Sequence, residues 1–261
     1  MHEPNRYQAV ILKIFKRHYR RRTTTFEFER SEMEDVAREL RIELPKNLGD
    51  LIYSFRYRTT LPAEIKKTET KGHEWIIEPA GRARYRFALS RISRILPRAD
   101  LMAIKVPDAT PEIITRNAFT DEQALLAKVR YNRLVDIFLG ITTYSLQNHL
   151  RTTVQGMGQI EIDELYVGIN RKGQQFVIPI QAKGGADQLA VIQTRQDLAC
   201  CKEKFPSLGC RPVSAQFMDD EVIAMFELAL HGDHVKILEE KHYRLVPGDE
   251  ITEEDLKLYS R

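Results

Sequence analysis

Asp163 and Glu164 form a carboxylate pair one hairpin away from Gln181-Ala182-Lys183, which closes an apolar strand. Carboxylates facing an amide and an ammonium can hold a divalent metal beside a lysine, and that is equipment for phosphodiester hydrolysis. Asp163 offers a charged ligand, Gln181 a neutral one and the backbone carbonyl of Ala182 a third, with water completing the shell of an ion such as Mg²⁺. The ion would polarise a scissile phosphate and acidify bound water. Lys183 would orient or deprotonate that water, or stand as a cation beside the phosphorane. Glu122, in the first turn of a predicted helix, completes the site directly or through water, although a helix N-terminus favours a carboxylate there for dipole reasons alone.

Alternation places these groups. On the second strand Phe176, Ile178, Ile180 and Ala182 point one way, while Gln181 and Lys183 point the other. On the first strand Ile160 and Ile162 share one parity, whereas Leu165, Val167 and Ile169 have the other. The spacing predicts a phase change at Asp163 and Glu164, where a bend or bulge aims a carboxylate across the sheet. Gly156 and Gly158 open this hairpin and Gly184-Gly185 closes it. Upstream, Thr120 is a predicted N-cap for a long helix from Asp121 to about Leu139, ended by Gly140, and a further helical piece is expected at Tyr144 to Leu150. Downstream come a helix from about Asp187, a buried strand from Arg211 to Met218, a segment from Asp219 to Leu230 that reads as strand or helix, and a weakly patterned acidic tail from Gly248.

The chain has 261 residues, more than one typical domain needs, and 43% of them are apolar. Net charge is only +3, but its distribution is uneven. Met1 to Arg98 holds 22 Lys or Arg against 13 Asp or Glu, and the remainder holds 18 against 24. Contact with a polyanion is therefore expected at the front. That front carries a helical stripe from Asn5 to Tyr19, a β-like segment at Thr23 to Phe28, a helix capped by Ser31 with Glu34, a helix from Lys46 to Tyr57, and two strands around Pro79-Ala80-Gly81. Three helices and a hairpin are the parts of a winged helix. Its candidate DNA contacts are Arg20, Arg21 and Arg22, then Lys46, Asn47, Arg56 and Arg58 on and beside the recognition helix, and Arg82, Arg84 and Arg86 on one face of the wing. The alternative is a small α+β domain with a solvated basic face.

The expected division is a reader domain over 1–95, a proline-containing linker or domain entry over 96–119 and a catalytic domain over 120–261. Cys200, Cys201 and Cys210 have no zinc spacing and are odd in number, as expected of a reducing compartment. No apolar run approaches a membrane span, so the expected location is the cytoplasm, with no membrane partner.

The order of Glu122, Asp163 on a hairpin strand, Gln181-Ala182-Lys183, a helix and a further strand resembles the core of the PD-(D/E)xK nuclease superfamily, in particular type II restriction endonucleases. The resemblance covers about Thr120 to Leu230 and rests on Ile162-Asp163-Glu164-Leu165-Tyr166-Val167-Gly168 and Ile178-Pro179-Ile180-Gln181-Ala182-Lys183. It implies an α/β core with a central mixed sheet flanked by helices behind the winged-helix (α+β) domain. It also implies Mg²⁺, double-stranded DNA as substrate, and the roles of aspartate, acidic residue and lysine falling on Asp163, Gln181 and Lys183. Ile162 stands where the family often has proline, and Gln181 replaces its usual acid, so either Glu122 or Glu164 supplies the missing charge or metal binding is weak and activity limited. Cutting both strands implies a homodimer or successive nicks. The alternatives are a noncatalytic DNA-binding regulator with a dimerising rear domain, and a repair or junction nuclease.

Overall fold

Val10, Ile11, Ile14 and Phe15 recur at helical spacing, and all four are buried on one face of α1 (Arg6–His18). The computed structural model describes residues 6–45, 48–57, 59–91, 94–117, 122–184, 189–218, 221–231 and 234–260. The chain divides into two compact units, Met1–Ile92 with Thr153–Gln159, and Ser93–Thr152 with Ile160–Arg261.

In the first unit α1 is followed by β1 (Thr25–Glu29), α2 (Arg30–Leu40), α3 (Leu48–Tyr57), α4 (Ala63–Lys66), β2 (His73–Pro79) and β3 (Arg84–Arg91). The three strands form an antiparallel sheet in the order β1-β3-β2. Trp75 and Phe87 from the sheet pack edge-on against Phe15 of α1, at centroid separations of 5.2 Å each. Trp75 is buried without a polar penalty because its indole N–H donates to Thr68 Oγ1 at 2.9 Å. The start of α2 differs from expectation. Glu29, not Ser31, is the N-cap, and its backbone N–H donates to the Glu32 carboxylate at 3.0 Å.

The second unit is a mixed sheet flanked by helices, with strand order β5-β13-β12-β11-β8-β7-β6. Its strands are β5 (Ala103–Pro107), β6 (Thr142–Val154), β7 (Gly158–Ile169), β8 (Gln175–Lys183), β11 (Val213–Phe217), β12 (Val222–His231) and β13 (His234–Val246). The short β10 (Gly209–Cys210) also pairs with β8, while β4 (Arg94–Ile95) and β9 (Leu189–Ala190) pair with each other. Its helices are α5 (Glu112–Asn117), α6 (Glu122–Tyr131), α7 (Leu134–Leu139), α8 (Val191–Lys204) and α9 (Glu253–Tyr259). Ile178, Ile180 and Ala182 of β8 pack with Leu125, Leu126 and Val129 of α6 and Phe138 of α7, as their shared parity requires. On the other parity Gln181 meets Gln193 and Asp197 of α8.

Several sequence expectations are corrected. The helix read as continuous to Leu139 breaks at Asn132 and Arg133, the latter in the left-handed region at φ 52°. Buried Asn132 accepts from Ala109 N at 2.7 Å and donates to Thr110 Oγ1 at 2.9 Å, so its amide serves the preceding loop and the helix stops. Thr120 and Asp121 lie outside the described residues. Tyr144 to Leu150 is strand, not helix. Its start is fixed where Thr143 N–H donates to the Asp136 carboxylate at 2.6 Å, and β7 then supplies the backbone partners. The stretch read as a linker or domain entry carries β5, which pairs in parallel with β13.

The phase change expected in β7 is absent. Ile160, Ile162, Glu164, Tyr166 and Gly168 form one uninterrupted buried row, and Ile169 is exposed. Glu164 sits in that row because Arg130 Nε donates to its Oε1 at 2.8 Å and Ser145 Oγ donates to the same atom at 2.8 Å. Burial and the Glu164 charge push the Tyr166 phenol up. Removing one partner of a buried pair leaves an uncompensated charge. Arg130→Ala is therefore expected to cost about 3 kcal/mol in urea unfolding, and adding Glu164→Gln should restore part of the loss.

Candidate active site

The β7–β8 ladder runs from Ile169↔Gln175 to Glu164↔Ile180 and ends there. One residue further, side chains replace the backbone partners. Asp163 Oδ2 accepts the Ala182 N–H at 2.8 Å, and Gln181 Nε2 donates to the Glu161 carbonyl at 3.2 Å. An aspartate has acceptors only, so it can close one side of an opened ladder while its second oxygen stays available. On its other edge β8 pairs in parallel with β11 through Ser214↔Gln181 and Gln216↔Lys183, and this fixes the strand that carries the site.

Lys183 is buried, yet its ammonium reaches Glu122 Oε1 at 2.5 Å. The first turn of α6 thus delivers a carboxylate to the end of β8. Burial pushes the Asp163 carboxyl above its usual range. The Ala182 N–H and the Lys183 charge act against this shift, and Glu122 and Glu161 add to it. Asp163, Lys183, Glu122 and Glu161 therefore share one electrostatic neighbourhood. Glu161 is also approached by Arg151 at 3.3 Å and by His149 at 3.6 Å.

Gln181 goes elsewhere. Its Nε2 donates to Asp197 Oδ1 at 2.9 Å, and its Oε1 accepts from Gln193 Nε2 at 3.1 Å, both on α8. Asp197 is fully enclosed, and burial holds its carboxyl well above the ordinary aspartate value, with the Asp163 charge adding to the effect. What Ala182 brings to Asp163 is its amide. Glu164 belongs to the Arg130 pair, not to this neighbourhood.

No match is found among family models, curated proteins or solved structures. Among the described residues no group of three or more His, Cys, Asp or Glu side chains could hold a metal ion, and no helix is long and apolar enough to cross a membrane. The carboxylates that act on Lys183, Asp163 and Glu122, carry only oxygen donors, the kind a hard cation takes, whereas the Gln181 amide is already satisfied.

Sequence reasoning missed the layer behind the site. Gln193, Thr194, Gln196 and Asp197 are all buried, and a run of polar residues opening a helix directly after Gln181-Ala182-Lys183 was the available signal.

The basic residues of the first unit fare unevenly. Arg20 is exposed and donates to the Arg17 and Tyr19 carbonyls, and Arg21 is exposed beside it. Arg22 is also exposed and adopts φ 73°. Arg82 lies in the turn before β3, not on the strand. Arg86 is held between Glu27 at 3.4 Å and Glu78 at 3.3 Å, and Arg84 lies 3.6 Å from Glu27, so carboxylates across the sheet offset much of the charge on β3. Lys46, Asn47 and Arg58 lie outside the described residues, as does the side chain of Arg56.

Asp197 yields a pH test. The unfolded chain loses this proton near 3.8, the ordinary value, whereas the folded chain retains it to higher pH. Its contribution is therefore full below that pH and is lost as pH rises toward the folded value, at about 1.4 kcal/mol per unit. Asp163 acts in the same direction. Asp197→Asn keeps an acceptor for Gln181 and removes the titration, so its stability should fall less steeply than wild type between pH 4 and 7. Urea melts across that range would show it, and identical slopes would contradict the assignment.

Proposed function

We propose that this chain is a Mg²⁺-dependent, sequence-specific endonuclease of double-stranded DNA, with a restriction-endonuclease-like core and a winged-helix-like reader in front. The observation that carries the reading is Lys183 held against Glu122 beside Asp163, where the β7–β8 ladder ends. The reader is supported by the element order α1-β1-α2-α3-β2-β3 and the strand order β1-β3-β2.

Asp163 and Glu122 would hold the ion, and Glu122 supplies the negative charge that Gln181 lacks. When bound, Mg²⁺ supplies Lewis acidity toward a phosphate oxygen and acidifies its water. Lys183 has three N–H donors, and Glu122 accepts one of them. A second can meet a non-bridging phosphate oxygen, where negative charge grows in the transition state. Gln181 acts as a positioning residue, tying the strand to α8 through Asp197 and Gln193. Asp163 must be ionised to accept a cation, and burial raises its pKa, so cation affinity should increase with pH and binding should release a proton. A single site breaks one phosphodiester, so a double-strand cut needs two copies or two successive nicks.

Plasmid DNA incubated with Mg²⁺ is expected to give discrete fragments, absent in EDTA. Lys183→Ala should slow cleavage by about 100-fold or more while leaving the melting profile folded. Intact plasmid carrying a footprint would favour a noncatalytic regulator instead.

A further inference from the structure

β6 is the outermost strand of the sheet, next to the strand that carries Glu161 and Asp163. Among the described residues no strand covers its outer edge. Thr142, Tyr144 to His149 and Arg151 are all exposed, with Tyr144 at 61% and Leu146 at 53%. Long open edges are usually protected by lysines, inward charges or proline. β6 has none of these. From Ile137 to Ile160 there is no Asp or Glu, although 37 acids in 261 residues would put about three in a stretch of that length. Its charge comes from Arg151, with His149 beside it.

We propose that the outer surface of β6 lies against duplex DNA next to the scissile phosphate, with Gln147 and Arg151 contacting base edges. This rests on the endonuclease reading for the phosphate, but not for the surface itself. A strand without carboxylates can approach a polyanion without repulsion, and a β-ribbon fits the major groove. Glutamine is suited to paired hydrogen bonds with adenine and arginine to paired bonds with guanine. No hydrogen bond among the described residues engages the Gln147 side chain. Arg151 is 66% exposed and steadied from behind by Glu161, leaving guanidinium donors for a base. Ser145 is anchored to Glu164, as is Asn148 with its amide oriented to donate to that carboxylate at 3.2 Å, so the middle of the strand is held in place. His149, at φ 47°, interrupts the regular alternation. Such a break re-aims a side chain and discourages a second copy from pairing along the edge.

The test measures binding separately from cleavage. A labelled random duplex pool is titrated in EDTA with wild type, Gln147→Glu, Gln147→Ala and Arg151→Ala, all checked for wild-type melting, and bound sequences are read from the pool. Gln147→Glu should weaken binding at least tenfold, and the two alanine variants should each relax preference at one base position. Variants that bind and select as wild type overturn the proposal. So does unchanged binding together with a fall from dimer to monomer in light scattering, which would make β6 a contact between copies. If the wild type never cuts with Mg²⁺ yet the variants lose binding, the endonuclease reading fails and the β6 surface stands. If it cuts and the variants change nothing, only the β6 surface fails.

Discussion

Two neighbouring strands stop exchanging backbone hydrogen bonds after Glu164↔Ile180, and side chains finish what the main chain leaves open. Buried backbone groups must be satisfied, so the opening has to be filled by groups that accept and donate at the right places. Asp163 and Gln181 do this, and in doing so they are fixed where their remaining polar atoms face different surroundings. The lysine two residues from Gln181 on the same strand then meets α6, and the glutamine meets α8.

Burial adds the electrostatic half. Around Asp163 one ammonium faces several carboxyl groups, and desolvation pushes both Asp163 and Asp197 toward their protonated forms. Neutralising a buried acid costs less than ionising it without a partner. Asp197 can remain in a packed interior for that reason, with Gln181 donating to it. Glu164 is buried equally deeply and follows the other route, held by Arg130 and Ser145. Two buried acids, Asp197 on α8 and Glu164 on β7, thus meet the same problem in opposite ways.

Much of the site was legible because strand alternation is a short-range rule. The β8 parity and the glycines of the hairpin follow from local pattern. Gly156 and Gly158, both at φ 77°, mark the turn as their lack of a Cβ allows. What failed depended on partners distant in sequence. The phase change in β7 was inferred because Glu164 was not expected inside, and only Arg130 explains its place there. Tyr144 to Leu150 read as helix because its strand character comes from β7. Helix α6 ended early because of Asn132, whose partners lie more than twenty residues upstream. Alternating arginines of β3 suggested a free basic face, and the glutamates opposite them were visible in the sequence but not their register.

The tip of the β6–β7 hairpin, Thr153–Gln159, clusters with the N-terminal unit, while the rest of both strands belongs to the other. The backbone therefore crosses between units three times, once after residue 92 and again on each arm of this hairpin. An N-terminal fragment ending at the first crossing would lack seven residues of its own unit, so that unit cannot be obtained whole by simple truncation.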